Sequence, residues 1–338
     1  MEGLINVLKP PGMTSHDVIS YLRRTLGIKK IGHCGTLDPQ AAGVLPVCLH
    51  QATKLADYLA GGEKSYYCEM KLGFETDTQD VWGTVTKTYS GGSTGLAVDE
   101  DVIRGALSSL VGAVMQEVPA YSSVKRDGKS LHQYARKGEQ VTGIMRQVEI
   151  HAIDLVGFGE GRIRFIVKCG AGTYVRMLCR DIGRLLGVGG TMAFLLRLEV
   201  GPFALEDSVT LEEIGALCGA EGASDEARRD AEGAAIQSII RPKELALWHM
   251  PYIRATAEEA MKLRQGQAQW LAWDGSGMEV AGAGATGARR SGGNPDTSQD
   301  IAAWVMDGDN RLVALGNSRP GKGKHEGKAW FKPTKTFT

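Results

Sequence analysis

The six cysteines form no CxxC pair, and the seven histidines show neither an HExxH nor a Cys/His zinc spacing. The common zinc frameworks are therefore excluded, and no metal or other cofactor is expected. Cys34, Cys48, Cys68, Cys169, Cys179 and Cys218 fall mostly in apolar-periodic segments, where a reduced thiol acts as a small hydrophobe. No apolar run approaches the roughly 18 residues that a membrane span needs. The opening MEGLINVLKPPG lacks the basic stretch and apolar core of a secretory signal. These absences lead us to expect a cytoplasmic protein with no membrane contact.

Net charge is also missing, with 39 Lys and Arg against 39 Asp and Glu. Its distribution is uneven. From Tyr121 to Arg184 there are twelve basic and six acidic residues, and from Ser318 to the end six and one, whereas Glu206 to Glu232 holds two and nine. Charge sorted in this way suits a protein with one phosphate-facing side.

A length of 338 residues favours a main domain with a smaller appendage. Leu4 to Leu8 reads as a strand. Val18, Ile19, Leu22 and Leu26 repeat at helical spacing behind Thr14 and Asp17 in capping-box positions, and Gly27 ends the run. Tyr66, Cys68, Met70 and Leu72 alternate with Tyr67, Glu69 and Lys71, which predicts a strand with Tyr66 on its apolar face. Ile163, Phe165, Val167 and Cys169 form a second such face, and Phe194, Leu196, Leu198 and Val200 a third. Further helices are predicted over Asp99 to Val111, over Tyr174 to Leu186, and from Thr210, where Glu213 completes a capping box. Together these predict an α+β protein with an antiparallel or mixed sheet. A composition change near Pro251 separates 1–250 from 251–338, and the second part reads as a small β-rich unit with one short helix over Ala257 to Leu263. Residues 219–235 read as an exposed insertion, and the Gly-rich 281–299 is expected to be disordered. Residues 125–150, basic and poor in apolar period, read as a mobile loop.

The most informative stretch is GHCGTLDPQAAGVLP, Gly32 to Pro46. Its glycines permit tight turns, and Pro39 biases Asp38 toward extended geometry, so a carboxylate is presented on a loop. Taken with KPPGMTSHDV (Lys9 to Val18), TDTQD (Thr76 to Asp80), YSSVK (Tyr121 to Lys125), CGAGTYVRMLCRDIG (Cys169 to Gly183) and LLRL (Leu195 to Leu198), the chain resembles the bacterial tRNA pseudouridine-55 synthases, the TruB family. The final WFKPTKTF (Trp330 to Phe337) resembles the end of the PUA domain in those proteins. Departures include Ala42, where the family commonly has Thr, and the two inserts.

The resemblance implies a mixed, largely antiparallel sheet flanked by helices, the pseudouridine synthase fold, with a cleft on the sheet and a small PUA domain beside it. It implies an isomerase that converts the T-loop uridine at tRNA position 55 to pseudouridine without a cofactor. Asp38 would be the catalytic carboxylate, Arg176 its ion-pair partner, and Tyr66 a pocket tyrosine that assists proton removal. Tyr174 and Leu198 would line the uracil pocket, and His33 would fill the place of the extruded base. Lys9 and Asp77, in matching motifs, are candidate substrate contacts. Lys125, Arg126, Lys129, Arg136 and Lys137 are expected on the RNA backbone. The partner would be tRNA, bound through its T-arm and acceptor side by a monomer that needs no guide RNA or protein partner. The region after Pro251 is expected to add affinity, and its removal to leave the cleft intact. The alternative is a noncatalytic RNA-binding or RNA-folding protein on the same scaffold.

Overall fold

Alternating segments become strands in the structure, a computed structural model that describes residues 1–89, 98–122, 124–135, 137, 139, 143–218, 226–272, 301–321 and 323–337. The segment 281–299 and Arg136 lie outside the described residues. In chain order the first strands are β1 (Gly3–Lys9), β2 (Ile31–His33), β3 (Ala42–Leu49), β4 (Lys64–Leu72), β5 (Phe74–Thr76), β6 (Val85–Thr88) and β7 (Gly112–Glu117). They are followed by β8 (Lys125–Arg126), β9 (Lys129–Ser130), β10 (Met145–Gly159), β11 (Arg162–Cys169), β12 (Gly190–Val200) and β13 (Phe203–Ala204). The C-terminal part adds β14 (Tyr252–Arg254), β15 (Gln269–Ala272), β16 (Ile301–Met306), β17 (Leu312–Pro320) and β18 (Lys328–Thr336). The helices are α1 (Ser15–Leu26), α2 (Ala56–Ala60), α3 (Glu100–Ser108), α4 (Leu131–Ala135), α5 (Val175–Leu185), α6 (Leu211–Leu217), α7 (Glu226–Ile239) and α8 (Ala257–Arg264).

A nine-stranded sheet runs β1-β3-β12-β4-β11-β10-β7, with β2 and β13 attached to β3 and β12. Its pairings are antiparallel except β12 with β3, which is parallel. The sheet is therefore mixed and largely antiparallel, as expected. The C-terminal residues form a separate five-stranded sheet in the order β14-β16-β17-β18-β15. One face of the large sheet, with Tyr66, Cys68, Phe165 and Val167, packs on α5. A second cluster packs Ile5, Val7, Leu45 and Val47 against α1, whose capping box at Thr14 and left-handed Gly27 match the sequence reading. A third cluster is shared between the two sheets: Trp304, Met306, Leu312, Leu315 and Phe337 meet Leu4, Val44, Cys48, Leu55 and Leu59.

Two expectations, on β12 and on the basic segment, need correction. On β12, Phe194 is exposed and Leu196 and Leu198 are half-buried, while Leu195 and Arg197 point inward. Bulges between Met192 and Phe194 and between Arg197 and Glu199 shift the alternation, and one extra residue moves side chains to the opposite face. Within 219–235, residues 219–225 lie outside the described set, but α7 begins at Glu226 and its end is anchored by buried Ile236. The basic segment is not a plain loop. β8 and β9 form a hairpin around Asp127 (φ 50°) and Gly128 (φ 80°), the positive-φ pair that a tight hairpin turn requires. Buried Leu131 then anchors α4, and β10 begins at Met145.

Candidate active site

Asp38 lies on the loop between β2 and β3, and its shape is set by a buried lysine. Lys9, at the end of β1, is fully buried, and its ammonium donates to the carbonyls of Pro10 (2.8 Å), Pro39 (3.0 Å) and Ala41 (2.7 Å). These bonds tie the Lys-Pro-Pro turn to both flanks of Asp38. Lys9 therefore holds the loop and is not available as the substrate contact anticipated from its motif. Ser15, at the start of α1, braces the same loop by accepting from the Leu37 amide at 3.0 Å. Gly43 follows, with φ 114°, where a Cβ would collide with the backbone of Arg197. Only glycine lets β3 approach β12 this closely.

Arg176 reaches Asp38 from the first turn of α5. Its Nε lies 2.8 Å from Asp38 Oδ2, and its Nη2 donates to Oδ1 at 3.2 Å, a two-point fork. The same guanidinium donates to the carbonyls of Thr78 (3.1 Å) and Tyr121 (3.0 Å). The arginine is almost entirely buried, while 36% of the Asp38 side chain is exposed. The carboxylate is thus held from behind and open in front. A cation in the first turn of a helix is ordinarily unfavourable, and the Asp38 carboxylate offsets it. The helix start is held by Gln116 of β7, whose side chain accepts from the Tyr174 amide (2.7 Å) and donates to its carbonyl (3.0 Å).

Tyr66, on β4, is buried in a cluster with Leu37, Ala41, Val175 and Leu195. Burial pushes its phenol above its ordinary value, so at neutral pH it keeps its proton and offers a ring face and a donor. Arg197 stands opposite Tyr66 in the β12–β4 register. Arg197 is fully buried and donates to the carbonyls of Val44 (2.7 Å) and Gly35 (3.2 Å). Burial lowers Lys9 to about 8, with Arg197 adding to the fall and Asp38 opposing it. Burial also lowers Lys64 to about 8. His33 is lowered by burial, then by Arg197 and His16, and its Nδ1 is buried without a hydrogen-bond partner among the described residues.

The structure brings Asp38, Arg176 and Tyr66 together, with half-buried Tyr174 at the head of α5. Leu198 does not join the Tyr66 cluster, whereas Leu195 does. Asp77 is exposed, and its Oδ1 accepts from the Thr84 amide at 2.7 Å, closing the turn that presents the Thr78 carbonyl to Arg176. Lys125, Arg126, Lys129 and Lys137 are exposed on the segment after Tyr121. Arg197, Gln116 and Lys64 were missed. The one sequence signal was an arginine inside the apolar run LLRLEV. Among the described residues no group of His, Cys, Asp and Glu could hold a metal ion.

The chain is similar to known proteins over most of its length. A model of the TruB family pseudouridylate synthase N-terminal domain matches residues 23–175, and one of the tRNA pseudouridylate synthase B C-terminal domain matches 176–248. A protein named tRNA pseudouridine synthase B from Alkaliphilus oremlandii is 45% identical over 250 residues, covering 74% of this chain and 77% of that one. One of the same name from Heliobacterium modesticaldum is 42% identical over 278 residues, covering 81% and 84%. Among solved structures, a chain from the archaeal box H/ACA sRNP Nop10-Cbf5 complex superposes with a TM-score of 0.69 at 26% identity, covering all of this chain and 86% of the other.

Proposed function

We propose that this chain, which belongs to the TruB family of pseudouridylate synthases, isomerises the T-loop uridine at tRNA position 55, with Asp38 as the catalytic carboxylate. The observation that carries this reading is the fork between Arg176 and Asp38. It gathers the Lys-Pro-Pro turn, the Asp38 loop, the Thr76–Asp80 turn, the Tyr121 segment and the head of α5 around one half-open carboxylate.

The reaction breaks the N1–C1′ bond, turns the uracil while it is held, and joins C5 to C1′; the C5 proton leaves and N1 gains one. A fixed carboxylate open on one side acts on the sugar or base as nucleophile, or as base and electrostatic stabiliser. Arg176 supplies its counter-charge and orientation. Tyr66 and Tyr174 offer rings to a base taken out of its helix, and Leu195 takes the packing role first assigned to Leu198. Neutral His33 stands beside the loop to fill the space of the extruded base. The hairpin Lys125, Arg126 and Lys129, with Lys137, meets RNA phosphates, and the unit after about residue 251 works as a PUA-like RNA-binding module. The protein acts as a monomer on tRNA alone, in the cytoplasm.

Release of tritium from C5-labelled uridine in an unmodified tRNA transcript tests this directly, because the new C5–C1′ bond must expel that hydrogen. Asp38→Asn should abolish release while tRNA affinity stays within a few-fold, and Arg176→Ala should lose most of the rate. No release from naked transcript, with release only after guide RNA and partner proteins are added, would favour an assembly like that of the archaeal relative. Substantial release by Asp38→Asn would remove Asp38 from the chemistry.

A further inference from the structure

β5 and β6 form a hairpin that is fastened at both ends. At its base, buried Glu75 accepts from the Tyr89 hydroxyl (2.6 Å) and from Arg184 Nη2 of α5 (2.9 Å). At its tip, the Val81 amide donates to the Met192 carbonyl of β12 (2.9 Å), and the Met192 amide to the Gln79 carbonyl (3.0 Å). Asp80 Oδ1 closes the tip by accepting from the Thr78 hydroxyl (2.7 Å) and the Trp82 amide (3.1 Å). Gly83 follows, packed so tightly that a Cβ would collide with the Thr78 and Asp77 side chains. The Thr78 carbonyl in turn accepts from Arg176 at 3.1 Å, and Arg176 holds Asp38. A short run of hydrogen bonds therefore joins Trp82 to Asp38.

Trp82 itself is 52% exposed, and among the described residues its indole has no ring, cation or hydrogen-bond partner. Single exposed apolar side chains are ordinary on any surface. This one differs because its backbone is fixed, and the turn that fixes it is strained. Gln79 is held at φ 62°, a left-handed conformation uncommon for a residue other than glycine. We infer that Trp82 is a stacking subsite for the nucleobase next to the target uridine. Drawing one uridine out of its helix uncovers a face of each neighbouring base. An indole already held in place covers such a face with little further loss of conformational freedom. The inference rests on the reading of this chain as a tRNA uridine isomerase, since that reaction is what brings an uncovered base to the rim of the cleft.

The test is a double-mutant cycle on the full chain, in an Asp38→Asn background so that bound RNA is not turned over. Affinity is measured for a T-arm stem-loop and for two others in which the nucleotide 5′ or 3′ of the target uridine is abasic. With Trp82 present, one of the two abasic changes should weaken binding roughly tenfold, the scale of one base–aromatic stack. Trp82→Ala should weaken binding of the intact stem-loop by the same factor and leave binding of that abasic one unchanged, so the two losses do not add. Trp82→Phe keeps a ring and should retain part of the coupling, so the cycle survives if the alanine variant does not fold. Unchanged affinity of both Trp82 variants for the intact stem-loop would overturn the subsite. So would a loss equal for all three RNAs, which marks a contact with phosphates or a disturbed turn. Tritium release by the chain with Asp38 in place is measured separately. Its absence would sink the isomerase reading, while base-dependent coupling at Trp82 would still be read from binding.

Discussion

At the scale of single residues, Lys9 couples protonation to loop shape. Charged, it satisfies three carbonyls around Asp38; neutral, it has two N–H donors and turns a lone pair toward the third. Because it sits at about 8, turnover should fall on the alkaline side with a midpoint near pH 8. Linkage has the opposite sign. Between about 8 and the ordinary 10.5, the unfolded chain holds a proton that the folded chain has released, so this group adds stability as pH rises through that window. Activity should therefore drop while the urea midpoint does not, and a parallel fall of both would show that unfolding causes the loss. Lys9→Met strands the three carbonyls and should lower kcat roughly tenfold to a hundredfold, with no alkaline limb near pH 8. Asp38, Arg176 and Tyr66 were legible because their motifs name them. Arg197 was not: periodicity marks where a strand is buried, but not that a guanidinium is buried there to hold the Val44 and Gly35 carbonyls.

At the scale of elements, the placement of α5 decides whether the ion pair forms. The helix has no side-chain cap of its own at Tyr174, and Gln116 replaces one from a distant strand. Gln116→Leu should remove both bonds and destabilise the protein by about 1–3 kcal/mol. As Arg176 rides on the freed turn, kcat should fall more than KM rises. Calorimetry with steady-state kinetics checks both, and a variant that melts earlier with unchanged kcat would separate the clamp from catalysis. The ends of α1 and α5 and the start of α6 could be read in advance because caps and apolar period are local. The inward face of β12 could not, since its two bulges arise from pairing with β4, which no window of sequence contains.

At the scale of the whole molecule, the two sheets share one core. Lys54 donates to the Thr336 carbonyl (2.9 Å) and Lys335 to the Lys54 carbonyl (2.7 Å), with the aromatic cluster beneath them. The expectation that the C-terminal unit can be removed without harm therefore changes. Ending the chain at Met250 would uncover several large apolar side chains at about 1.5–3 kcal/mol each, comparable with the 5–15 kcal/mol that holds a typical domain. Such a fragment should melt well below the full chain and bind a hydrophobic dye, and an equal melting temperature would show the core to be divisible. Composition marked a boundary near Pro251, but buried contact across it leaves no mark in composition.

That common core has a consequence for how an RNA is measured. A hinge would let each half find its own contact, whereas a weld fixes the interval between the carboxylate and the far sheet. With the far sheet holding RNA as proposed, the enzyme would work as a gauge: a substrate would engage both ends only when its own rigid length spans that interval, so distance along the RNA would be checked together with the identity of the base.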